Sequence, residues 1–369
     1  MSRDYLCTVK VESPAMKIFK CENCENPLYF ENTRCLTCGS LLGYRHETLE
    51  LASLIETMNG YVLLENDGNN YRYCKNHEYH VCNWLMETAS EKEFCAACDL
   101  NRTIPNLNDA NNLEEWRKLE LAKHRLVYGL LRLGLSVDDS EMPEENSLAF
   151  DFLSSSTGSQ SEKPVRTGHL NGLITINIAE ADSVHREYMR KQMEERYRTL
   201  IGHFRHEVGH YYWERLVRDR TETLNAFRKI FGDERADYGK ALEKHYENGP
   251  PEGWPQNFIS KYAASHPWED WAETWAHYLH LVDMLETAFY FGMETGSNFL
   301  RRSPLKMQAD FDPYRESDFN VILEAFVPLT YALNSLNRSM GQPDIYPFVI
   351  PDSVVEKLRF VHELLHSES

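Results

Sequence analysis

Residues 206–210 read His206-Glu207-Val208-Gly209-His210. On an α-helix, positions i and i+4 share a face, so both imidazoles can meet one metal ion, with Glu207 projecting beside them. That trio suits zinc: two imidazole ligands, and a carboxylate placed to take a proton from a water on the metal. Zinc lowers the pKa of such a water toward neutrality and polarises a peptide carbonyl. In a chain with 15 histidines the pattern arises by chance in roughly one sequence of twenty-five, so its setting has to carry weight. The residues that follow, Tyr211-Tyr212-Trp213, make the helix a core element rather than a surface helix with two solvated histidines. His203, one turn earlier on the same side, reads as a structural or outer partner ahead of a fourth ligand.

A catalytic zinc needs a third protein ligand and an open position. Positions 213 and 216 are Trp and Leu, so the extended HExxHxxGxxH pattern is absent. The third ligand is expected from a later helix, and the richest candidate is Ser265 to His280, acidic and aromatic, with Pro267 suited to a helix start. Glu269 and Glu273 lie one turn apart there. One can bind the metal while the other holds a ligand histidine by its outer nitrogen. Trp268, Trp271 and Trp275 argue for burial, against a solvated acidic first turn stabilised by the helix dipole.

All nine cysteines (7, 21, 24, 35, 38, 74, 82, 95 and 98) fall in the first hundred residues. A secreted disulfide scaffold would spread them; a metal-binding module in a reducing compartment would cluster them so. Cys21-x-x-Cys24 and Cys35-x-x-Cys38 form a zinc-ribbon pair, each knuckle bending the chain so that two thiolates meet one ion. Redox disulfides are the competing reading. Cys74, Cys82, Cys95 and Cys98 supply a second four-cysteine site, with His77 or His80 able to replace one cysteine. Cys7 is left over as a free thiol. The expected metal content is therefore one catalytic and two structural Zn2+.

The elements that must position these groups follow from patterning. At 369 residues, 42% hydrophobic and 26% charged, the chain has the composition of a globular protein of two or three domains. Residues 1–103 read as a cysteine-rich module of short strands. Thr103 to Asn112 is a linker, and Leu113–Leu135 a helix closing near Gly134. LAFDFL and Gly172–Ile178 read as strands. Glu180 and Asp182 follow as a charged turn. From Arg186 to about Arg218 the pattern is helical, and helices are predicted near 221–231, 234–247, 256–264, 268–289, 317–336 and 352–366. The fold class is α+β: an N-terminal zinc-ribbon module, a mostly helical zincin-like catalytic domain with a small sheet over 104–300, and a helical C-terminal part, 301–369, packed on it.

The formal net charge of -18 argues against a large phosphate-binding surface and leaves nucleic acid only a local basic patch on the ribbon. No apolar run approaches the ~18 residues of a membrane span, and the first residues lack the apolar core of a secretory signal. A cytoplasmic location without membrane contact is expected.

Three resemblances sharpen this reading. HExxH followed by a helix with Glu-x-x-Ala is similar to the gluzincins. Tyr262-Ala-Ala-Ser265-His-Pro267-Trp-Glu269-Asp-Trp-Ala272 resembles the Mlc titration factor A peptidases more closely, over the active-site segments alone. These resemblances imply Glu269 as the third ligand and Tyr262 as stabiliser of the oxyanion; Tyr211, Tyr212 and Tyr278 are alternatives for that second role. Across nearly its full length the chain resembles a bacterial family of zinc-binding metallopeptidases with an N-terminal zinc ribbon. The matching pieces include Cys82-Asn-Trp84, Leu100-Asn-Arg-Thr-Ile-Pro105, Thr167-Gly-His169, His203 through Trp213 and His266 through His280. By analogy with zincins, Gly172–Ile178 is the sheet edge along which a peptide lies extended.

The leading expectation is a zinc-dependent peptidase acting on a peptide or protein substrate, with Glu207 as general base. The alternative is a zinc-stabilised binding or regulatory protein with little turnover, recruited to protein or nucleic acid by its ribbon. A third is a peptidase guided by the ribbon to nucleic-acid-bound substrates. Substrate identity and oligomeric state are not legible in the residues.

Overall fold

The computed structural model describes residues 17–137, 146–154, 165, 167–184, 186–187, 199–296 and 305–367. Cys7, the Ser-rich stretch after residue 154 and most of 185–198 lie outside the described residues. The fold is α+β, as expected.

The first knuckle sits between β1 (Phe19–Lys20) and β2 (Pro27–Leu28), an antiparallel pair. An antiparallel five-stranded sheet follows in sequence order: β3 (Leu41–Arg45), β4 (Glu50–Thr57), β5 (Gly60–Leu63), β6 (Tyr71–Tyr73) and β7 (Leu85–Glu87). A bridge between Tyr44 and Trp84 draws its two ends together. Gly43 permits this, because a Cβ there would overlap the Leu85 side chain.

β8 (Asn101–Thr103) leaves this module and joins a different sheet, of order β10-β11-β9-β8, with β9 (Ala149–Leu153), β10 (Gly168–Leu170) and β11 (Leu173–Asn177). β8, β9 and β11 are parallel, and β10 is antiparallel to β11. This corrects one expectation. The strand within Gly172–Ile178 is interior, paired on both sides, and the edges of the sheet are β10 and β8.

Between β8 and β9 runs α1 (Ala110–Arg132), capped by the Asp109 side chain on the Asn111 amide and followed by Gly134 at φ +73°. The helical region comprises α2 (Leu200–Trp213), α3 (Thr221–Ile230), α4 (Tyr238–Asn248), α5 (Pro267–Tyr290), α6 (Phe319–Ser339) and α7 (Asp352–His366), with a short pair β12 (Glu294–Thr295) and β13 (Met307–Gln308) before α6. A π-helical turn, Glu214–Arg218, extends α2. α4 begins later than its sequence pattern, where Asp237 caps the Lys240 amide. The helix expected over 256–264 is absent; Pro255 and short 3-10 turns at Trp254–Gln256 and Ala263–Ser265 take its place.

One apolar core runs from Phe19 and Cys21 through Trp84, Trp116, Phe204 and Trp271 to Leu365. α1 is its bridge. Its Tyr128 packs on Phe30 and Tyr44 of the ribbon and donates its hydroxyl to Glu286 of α5 at 2.8 Å. Among the described residues one helix, α6, is long and apolar enough by composition to cross a bilayer, although no bilayer-length run was expected. It instead packs Phe319, Ile322, Phe326 and Leu329 into the core.

Candidate metal centre

The principal helix pair is α2 against α5. Gly209 sets their spacing: a Cβ there would lie 3.1 Å from Ala272 Cα and from the Trp275 ring. α2 starts where Thr199 accepts from the Gly202 amide, and α5 where His266 accepts from the Trp268 amide with Pro267 in the first turn. This close crossing brings Glu269 between the two histidines of α2.

Glu269 Oε2 lies 2.9 Å from His206 Nε2 and 3.5 Å from His210 Nε2. Glu273 Oε1 is 2.8 Å from His206 Nδ1, and its other oxygen accepts from the Ser260 hydroxyl at 2.6 Å. The carboxylate can only accept, so His206 carries a proton on Nδ1, and a neutral ring then turns its Nε2 lone pair toward Glu269 Oε2. With that ring neutral, two acceptors face each other across 2.9 Å at the buried Oε2. A cation shared by His206, His210 and Glu269, whose ligand atoms lie within 4.8 Å of one another, resolves that conflict. The donor set fits zinc.

Burial disfavours charge on Glu269, but His210 and His206 outweigh it and hold the carboxyl well below the usual range. At Glu207 burial wins, pushing the carboxyl up against the opposing pull of His206 and His210. Glu269 is fully buried, as the flanking tryptophans implied, and so is Asp270.

Other expected residues divide. Tyr262 has its ring centroid 5.8 Å from that of His206. Arg215 donates to the Tyr211 hydroxyl, Tyr212 donates to the Ser136 carbonyl, and Tyr278 pairs with His362; all three tyrosines are buried. His203 is not grouped with the ligands; its Nδ1 is bound to Glu180, which also accepts from Thr167. Glu180 is therefore a buried anchor of α2, not part of a solvated charged turn. β10 places the His169 ring 6.2 Å from that of His210, nearly parallel to it.

The cysteines assemble as two clusters, Cys21, Cys24, Cys35, Cys38 and Cys74, Cys82, Cys95, Cys98. Sulfur separations of 3.6 to 3.7 Å match the edge of about 3.8 Å of a tetrahedron with ~2.3 Å zinc–sulfur bonds. His77 is not a substitute ligand: its Nδ1 is 2.7 Å from the Cys82 carbonyl and its ring stacks on Tyr73. His80 caps a 3-10 turn in left-handed backbone.

Residues 112–364 match the family model described as "Putative zinc-binding metallo-peptidase", and residues 18–109 match a zinc-ribbon domain. The chain belongs to this metallopeptidase family. Relatives from Mycobacterium tuberculosis and Mycobacterium bovis, each named as an uncharacterized protein, are 42% identical over 350 residues, covering 95% of this chain and 95% of the relative. No solved structure matches the chain. Within the metallopeptidase region, two partners of the centre escaped the sequence reading. Tyr238 donates to Glu269 Oε1 at 2.6 Å, and Ser260 holds Glu273. Tyr238 opens α4 in a segment without a metal-site motif, and only the fold brings it to Glu269. Burial, Glu269 and a hydrogen bond to Glu269 drive its phenol strongly up.

Proposed function

We propose that this chain is a zinc-dependent peptidase of the HExxH, gluzincin-like kind, with one zinc held by His206, His210 and Glu269 and two structural zincs in the cysteine clusters. The observation that carries the reading is the convergence of His206, His210 and the buried Glu269, whose ligand atoms lie within 4.8 Å of one another. A zinc ion held there supplies Lewis acidity toward a water and a substrate carbonyl. The remaining chemistry falls to side chains. Glu207, on the same helix between the two histidines, takes the proton of the attacking water and hands it to the departing amine. Glu273 and Ser260 keep His206 in the ligating tautomer. The hydroxyl of Tyr262 faces the oxyanion. The β10 edge, beside His210, offers backbone groups to an extended peptide, giving binding without side-chain readout.

The test is metal content by mass spectrometry on wild type, His206→Ala, Glu269→Ala and Glu207→Gln, with a mixed peptide library as substrate. About three zincs are expected in wild type and in Glu207→Gln, and about two in the ligand variants. Library cleavage is expected from wild type and not from Glu207→Gln. Full metal in His206→Ala would sink the reading. Full metal in Glu269→Ala alone would move the ligand to Glu273.

A further inference from the structure

α4 stands apart from the helices around it. None of its 11 residues is buried, whereas α2 and α5 bury most of theirs. Its inward face is thin. Ala241, Leu242 and His245 are half-buried, and with Tyr238 they fall at the i, i+3, i+4, i+7 spacing of one helix face. The other residues of the helix are exposed.

That face lies on the metal centre. Tyr238 is 38% exposed, yet its hydroxyl donates at 2.6 Å to Glu269, which is 1% exposed. The Tyr238 ring stands edge-on to His266 and Trp268, with centroids 5.2 and 5.8 Å away. Two turns on, about 10 Å along the axis, the His245 ring stands edge-on to Tyr262 at 6.2 Å. Burial, then Glu269 and Tyr238, push the Tyr262 phenol up, which makes the two phenols neighbours. α4 thus runs from the third ligand to the tyrosine assigned to the oxyanion.

The chain around α4 is fastened beyond the ends of the helix. Before it, Glu234 pairs with Arg228 of α3, and the Ala236 carbonyl accepts from His266 Nε2 at 3.1 Å. After it, the Gln256 carbonyl accepts from Ser353 and the Asn257 carbonyl from Lys357, both on α7. Between helix and second fastening, Gly249 at φ +72° and Gly253 at φ +75° flank Pro250-Pro251. Glycine takes and leaves such left-handed backbone at little steric cost, so this stretch can serve as a hinge.

We propose that α4 is a lid on the metal centre, held shut by the Tyr238 hydroxyl on Glu269, and that it lifts between its two fastenings to admit a peptide. What passes beneath it rests on the peptidase reading; the opening itself does not. Lifting α4 breaks the bond to Glu269 and uncovers little apolar surface, so it costs far less than unfolding the chain. It also withdraws His245 from Tyr262 and opens the side of the centre where that tyrosine stands.

Hydrogen exchange of the full chain in saturating zinc, read by mass spectrometry, tests the proposal. The amides of 242–248 are expected to exchange together, at least about 100-fold faster than those of α2. Tyr238→Phe removes the latch, and a hydrogen bond to a charged group predicts exchange of α4 faster by about 10-fold or more. Leu242→Ala trims the inward face and leaves the Glu269 bond in place, and is expected to speed α4 up to about 10-fold. In both variants α2 and α5 are expected to exchange as in wild type. The zinc that His206→Ala lacks reports access to the centre: in Leu242→Ala its transfer to a chromophoric chelator is expected to speed by the same factor as the exchange. Amides of α4 as slow as those of α2, exchange unmoved by either substitution, or zinc transfer unmoved while exchange quickens would each overturn the lid. If His206→Ala lacks no zinc, the peptidase reading falls on that ground, and exchange alone still decides whether α4 opens on Tyr238.

Discussion

Tyr238 and Glu269 meet across 31 residues of sequence, the phenol donating to Oε1 at 2.6 Å. That bond occupies the carboxylate oxygen turned away from the histidines and so aims Oε2 between His206 and His210. Tyr238→Phe keeps the ring and deletes the bond. Zinc affinity at this site is expected to fall about 10- to 100-fold, measured by chelator competition, with the cysteine sites unchanged. An unchanged dissociation constant would show that helix packing alone orients Glu269.

Gly209 is the contact point of α2 and α5. Two effects oppose each other in Gly209→Ala: helix propensity favours alanine by about 1 kcal/mol, whereas overpacking costs about 1–3 kcal/mol. The new Cβ would meet backbone at Ala272 and the buried Trp275 ring at 3.1 Å, neither of which can swing aside, so overpacking is expected to win. Urea unfolding should show a net loss of about 1–2 kcal/mol. A variant more stable than wild type would mean the crossing has slack.

Acid should weaken the fold through its buried histidines. His277 is packed inside α5 with Nδ1 2.9 Å from the Tyr346 hydroxyl, and burial pulls its pKa down to about 4 against the pull of Glu273. Between the unfolded value near ~6.5 and 4, the unfolded chain takes a proton that the folded ring refuses. Stability is therefore full above that window and falls with pH inside it, by up to about 1.4 kcal/mol per pH unit for this group. Urea midpoints at pH 7.5 and 5.5 should diverge more in wild type than in His277→Gln. Equal divergence would assign the acid sensitivity to other groups.

Much of the centre was legible because its geometry is local. The i, i+4 histidines, the Glu269 and Glu273 turn and the CxxC knuckles are each written within a few residues. Features made by long-range contact were not. The edge of the sheet depends on β10 pairing outside β11. Tyr238 reaches its partner only through tertiary packing. Glu180 looks like a solvated turn until His203 and Thr167 cover it. The missing helix over 256–264 reflects Pro255 and the short 3-10 turns around it, which override a weak apolar period.

The single core spanning ribbon and peptidase region has a consequence for how the chain can be dissected. The ribbon covers α1 along most of its length: Tyr79 lies on Trp116, Glu31 pairs with Arg125, and Phe30 with Tyr44 sits on Tyr128. Excising it would not liberate a smaller folded unit but lay bare a strip of aromatic surface prone to aggregation. Because α1 packs on the ribbon and also bonds to α5 through Tyr128 and Glu286, a partner gripping the ribbon would be held at a set distance from His206, as by a ruler rather than a leash.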